Sequence, residues 1–171
     1  MALVVTPGAS DADSYTTVAF ADAYHVARGN AGWAGADAVK EAALRRATAW
    51  IDGVYRSRFP GYRNGGRDQA LEWPRASASD AQGWGIVNDA IPAEVQQAAA
   101  EAALREVTSP GSLAPDAIPA AMKTLTTVGN LGWTPLKAAA GPQDIIPVLH
   151  TIEHILGGLI ASGGGVAMVR G

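Results

Sequence analysis

The residues of this chain best placed to do chemistry are His150, Glu153 and His154, in the run His-Thr-Ile-Glu-His. On a helix, histidines at i and i+4 share a face and can hold zinc, with the glutamate polarising a bound water. Such a centre needs a third protein ligand, normally an acid farther along. No Asp or Glu follows residue 154, and the only other histidine is His25. The pattern therefore reads as an amphipathic helix showing polar residues on one face, with no metal. Nucleophilic chemistry fares no better. There is no Gly-x-Ser-x-Gly elbow, and the chain has no cysteine, which excludes thiolates, disulfides and cysteine-based zinc sites. The glycine clusters at 64–67 and 162–166 lack the strand–loop–helix setting and the lysine of a phosphate cradle. No catalytic residue and no cofactor is expected.

A basic segment is the better candidate. Arg56, Arg58, Arg63, Arg67 and Arg75 lie close together, interleaved with Tyr62 and Trp73 and opposed only by Asp68 and Glu72. Single-strand binders use arginine and aromatic residues to grip phosphate and stack bases. Protein interfaces use the same pair as anchors and ion pairs. The formal charge of −3 and a pI near 5.5 favour the protein interface. Counterion release from a few arginines would give only weak, salt-sensitive DNA binding. Within the segment, QALEWPR (residues 69–75) has neither a helical nor a strand period. Trp73 is expected to be an apolar plug, with Pro74 fixing the chain direction and restricting Trp73. Glu72 and Arg75 are left to pair outward.

The elements that must carry these groups are mostly helical. The length of 171 residues suits one domain, and 48% hydrophobic with 6% aromatic residues is an alanine-rich helical composition. Thr17 is a candidate N-cap for a helix with Phe20, Ala23, Tyr24 and Ala27 on one face, stopped by Gly29-Asn30. Asp37 is expected to cap a second helix reaching about Arg56, with Leu44, Ala47, Ile51, Val54 and Tyr55 as its stripe. Glu41/Arg45 and Asp52/Arg56 are i,i+4 ion pairs of the favoured polarity. Residues 57–90 read as a long ordered loop, of a length that is usually functional. A third helix starts at Ile91-Pro92, with Val95, Ala99, Ala102 and Ala103 facing inward.

The expected fold is mainly α: a small three-to-four-helix bundle with a long ordered loop and an extended C-terminal arm. Residues 1–112 form the helical domain, including the 57–90 loop, and 113–171 form the arm. Repeated prolines break the arm, which holds a strand or hairpin over 123–133, turning at Gly129-Asn130, and a short helix within 148–160. The N-terminus lacks the basic start of a signal peptide, and no apolar run reaches the ~18 residues of a membrane span.

In this order, four stretches resemble the head–tail connector (adaptor, or head-completion) proteins of tailed bacteriophages. They are DADSYTTVAFADAYHVAR, KEAALRRATAWID, QALEWPR and IPAEVQQAAAEAAL, which together span about the first two-thirds of the chain. The Leu71–Arg75 run followed by Ile91-Pro92 is the most telling part. Phe20 departs from the acidic residue usual there. Some relatives of this pattern carry the label DnaT-like single-stranded DNA-binding protein, which keeps DNA binding open as the alternative.

The resemblance implies a non-enzymatic virion protein, assembled in the host cytoplasm into a dodecameric ring under the portal vertex and lining part of the DNA channel. Its partners would be the portal protein, neighbouring copies of itself and a neck or tail-completion protein, with non-specific contact to packaged DNA and no membrane. Interface residues would be Arg58, Arg63, Arg67, Trp73 and Arg75 in the loop. In the arm they would be Ile145, Leu149, Ile152, Leu156, Val166, Met168 and Arg170. Tyr15, Tyr24, Trp73 and Pro74 would be structural anchors.

Overall fold

The computed structural model describes residues 2–114 and 149–160, together with the backbone of 123–127 and 132–135. Ile145, Val166, Met168 and Arg170, and the turn expected at Gly129-Asn130, lie outside the described residues. Among the described residues the architecture is mainly α: four helices form a bundle, joined by a short antiparallel hairpin in the chain order.

Helix α1 (Val18–Ala27) starts where Thr17 Oγ1 accepts the Phe20 N–H at 3.1 Å, the expected cap. It ends at Gly29, whose φ of +67° suits a residue without Cβ. Its buried face is turned from the expected one. Ala21, Tyr24 and His25 are buried, while Ala23 and Ala27 are exposed. The reason is His25, whose Nε2–H faces Ala100 O at 3.1 Å, leaving Nδ1 to accept from Asn30 Nδ2 at 3.0 Å. A polar ring with both nitrogens satisfied can be buried at little cost.

Helix α2 (Asp37–Tyr55) is capped at Ala36 rather than Asp37. Asp37 is instead its first residue, where a carboxylate meets the positive helix end. Helix α3 (Ala93–Thr108) follows Pro92 and buries Val95, Ala98, Ala99, Ala100, Ala102 and Ala103. These small side chains let α2 and α3 approach closely, and their contact is the most extensive in the bundle. The larger apolar contributions come from Leu44, Ile51, Tyr55 and Trp73.

Beyond α3 the chain does not leave the core at 113. Glu106, itself buried, accepts Gly111 N–H at 3.0 Å and Leu113 N–H at 3.1 Å, and pairs with Arg46 at 2.8 Å. Leu113 is buried as a result. Strands β3 (Lys123–Thr127) and β4 (Gly132–Pro135) form the expected hairpin, with Leu125 opposite Trp133.

Helix α4 (His150–Leu156) then packs on α3, burying Ile152 and Leu156, with Leu159 and Ile160 behind them. This corrects the expectation that Leu149, Ile152 and Leu156 serve an outside partner. Ile152 and Leu156 are core residues and Leu149 packs against that core, so this stretch of the expected arm belongs to the bundle. The amphipathic helix was legible in the sequence; that its apolar face is taken up by the bundle was not.

A candidate binding loop and its anchors

The 57–90 loop is held from beneath by polar groups of α2 and of the N-terminal segment. Asp52 was expected to pair with Arg56 on the surface. It lies instead on the Leu44–Thr48–Tyr55 face and is buried. Its Oδ1 accepts the Tyr15 hydroxyl, and Oδ2 accepts Glu72 N–H at 3.1 Å. Arg56 Nε donates to the Asp52 backbone oxygen, at 3.1 Å, and not to its carboxylate. Burial pushes the Asp52 carboxyl up to about 6, against the pull of the Tyr15 and Glu72 hydrogen bonds. Burial likewise raises the Tyr15 phenol well above its usual range.

Inside QALEWPR the polar side chains serve the loop's own backbone. Gln69 donates to Leu71 O (2.7 Å) and Pro74 O (3.0 Å), and its Oε1 accepts Gly65 N–H at 2.9 Å. Arg75 reaches Pro60 O at 2.7 Å, Gly61 O at 2.8 Å and the Glu72 carboxylate at 2.7 Å. The expected outward pairing of Glu72 and Arg75 is therefore corrected: they pair with each other, and Arg75 is buried while satisfying carbonyls that a long loop would leave orphaned. Short strands β1 (Tyr62–Arg63) and β2 (Arg75–Ala76) close the loop's two ends on each other. Gly61 makes that closure possible. Its φ is +66°, and a Cβ there would sit 2.2 Å from Ala76 O.

The Trp73–Pro74 peptide is cis, and both residues are buried, as are Tyr15 and Tyr24. Trp73 meets Phe59 edge-on, with ring centroids 5.5 Å apart. Arg58 is also spoken for within the chain, forming a two-pronged pair with Glu153 at 2.8 and 3.0 Å. That pairing holds the Glu153 carboxyl below its usual range and removes it from the His150–His154 pattern. Among the described residues no cluster of three or more His, Cys, Asp or Glu side chains is placed to hold a metal ion. No helix among them is long and apolar enough to cross a membrane.

What the loop shows outward is a smaller set. Tyr62 is 62% exposed, Arg56 and Arg67 are exposed, and Arg63 is half-buried with one N–H on Gln69 O at 2.9 Å. Farther on, Trp84 is 73% exposed and Val87 is also exposed. Elsewhere, a cleft of about 700 Å³ between the α1–α2 turn, α3 and α4 is lined by Asn30, Glu101, Arg105 and His150 among others. Its mixed charge selects no ligand class.

The whole chain, residues 1–171, matches the family model described as "Putative DnaT-like ssDNA binding protein". The chain belongs to this DnaT-like family. No curated protein and no solved structure matches it. In this DnaT-like chain the arginines divide into two classes. Arg58 and Arg75 are structural, whereas Arg56, Arg63 and Arg67 remain at the surface with Tyr62. Sequence reasoning missed Asp52, Gln69 and Glu106 as anchors. For Asp52 a signal existed: it continues the i, i+4 row of Leu44 and Thr48 down the buried face.

Proposed function

We propose that this chain binds single-stranded DNA through the exposed 56–67 part of its loop. The observation that carries the reading is Tyr62, an aromatic ring 62% exposed beside surface arginines on a backbone pinned from below. A ring already out of the core can stack on a base without unfolding anything, and Arg56, Arg63 and Arg67 can meet the neighbouring phosphates. The family description supports the same partner. The net charge of −3 keeps the affinity modest and strongly salt-dependent. Fluorescence anisotropy with a labelled oligothymidylate tests it. Tyr62→Ala should weaken binding on the order of tenfold or more, given about 1–3 kcal/mol per stacked base. Arg67→Ala should flatten the salt dependence. A flat titration at low salt sinks the reading.

A second reading, a head–tail connector subunit in a phage neck, has its own observation. Residues 79–90 contain no basic side chain, yet expose Trp84 and Val87. Apolar anchors of that kind suit a protein partner: the portal, a neighbouring copy in a ring, or a neck or tail-completion protein. Contact with packaged DNA would then be incidental. Electron microscopy separates the two readings. Rings, or decoration of one capsid vertex, together with weak DNA binding favour the connector; monomers that bind oligonucleotide exclude it.

A further inference from the structure

Asp52 is a buried carboxylate whose hydrogen-bond donors among the described residues are all neutral. Tyr15 brings a hydroxyl from the N-terminal segment, and Glu72 brings a backbone N–H from the loop, at 3.1 Å. Among the described residues no lysine or arginine forms an ion pair with it. The charged groups facing it are few. Arg56, one turn on in α2, spends its Nε on the backbone. Glu72, from the loop, has a carboxylate that adds repulsion while pairing with Arg75. A charge buried without a cation is costly, and neutral hydrogen bonds recover only part of that cost. Three segments meet at this one group: the chain before α1, the last turns of α2, and QALEWPR.

We infer that Asp52 and Tyr15 are positioning residues that latch the loop to α2, and that the latch tightens when Asp52 takes up a proton. Closing the loop buries the carboxyl, so the closed state binds the proton more readily than the open one. By linkage, acid favours closure. The Tyr15 hydroxyl both donates and accepts, so the pair keeps a hydrogen bond whichever group carries the proton. The direction of the Asp52 shift agrees: raised in the closed fold, it contributes stability that is fully present below the ordinary aspartate range and lost as pH rises through about 6. The inference goes beyond the DNA-binding reading, because it concerns the loop alone.

Amide hydrogen exchange on the full chain tests it without any ligand, so its failure and a failure of DNA binding are separate results. The reporters are the Asn64, Gly65 and Glu72 amides, which donate within the loop or to Asp52. Corrected for intrinsic exchange, their protection should fall about tenfold between pH 5 and 7.5. In Asp52→Asn, which keeps an acceptor for Glu72 N–H but cannot titrate, the profile should be flat. A flat wild-type profile, or a slope retained in D52N, overturns the inference. Should D52N not fold, the Asp52 carboxyl carbon can be titrated directly in the wild-type chain by NMR. A midpoint near 6 supports the latch, and one at or below about 4, the ordinary aspartate range, overturns it.

Discussion

Trp73 and Trp84 sit in the same connection between α2 and α3, and the fold treats them in opposite ways. Trp73 is wholly buried, edge-on to Phe59, and its indole N–H finds no hydrogen-bond partner among the described residues. Trp84 is 73% exposed, yet its backbone is no less fixed. Asp80 Oδ1 accepts the N–H of Gln82 (2.9 Å) and of Trp84 (2.8 Å), and the Trp84 carbonyl accepts Asp80 N–H at 2.9 Å. Ala81 N–H reaches Gly158 O at 2.8 Å, tying the turn to the end of α4. Order in a loop therefore does not decide whether its side chains are hidden. Around Trp73 side-chain packing joins the hydrogen bonds of Gln69, Arg75 and Asp52 in fixing the chain and encloses the ring; around Trp84 an Asx-type turn fixes the backbone and leaves the ring outside.

The largest test of that contrast is Trp73→Ala, which should cost about 3–5 kcal/mol in denaturant unfolding. Trp73→Phe should cost far less, since it also deletes the unpartnered N–H. The next is Glu153→Ala, which cuts the Arg58 pair under the Trp84 turn. With both side chains about a quarter exposed, a loss of about 1 kcal/mol is expected. Amide exchange should then rise at 80–86 and not at 64–72. Equal rises in both stretches would mean that the two halves of the loop are one cooperative unit. The smallest is Trp84→Ala, expected to change stability by under about 0.5 kcal/mol. If it costs as much as Trp73→Ala, the contrast is lost.

Local signals carried much of the fold. Thr17, Pro92 and the Gly29 stop mark helix ends through the chain's own backbone needs, and the stretch expected to hold a strand or hairpin pairs as β3 and β4. Trp73 was readable as a plug because an aromatic residue before proline in a patternless loop has few other uses. What stayed hidden depended on distant partners. Asp52 and Arg56 look like a surface pair until Tyr15 and Glu72 arrive from elsewhere. Arg75 looks like a free cation until Pro60 and Gly61 present their carbonyls. The α4 segment looks like a helix of an outlying arm until α3 offers it a packing surface. Arginines in particular cannot be sorted into structural and surface classes from a single sequence, because the guanidinium serves a carbonyl as readily as a phosphate.

Gly61 turns this loop into something that can be taken apart without being rewritten. Where its missing side chain would stand, Ala76 O and Ala78 N already occupy the space. One added methyl group would act as a wedge between the loop's two ends, while every arginine and every aromatic ring stays in the chain. Such a variant separates composition from form. A partner that reads the loop as a collection of charges would still bind it, and a partner that reads a surface would not.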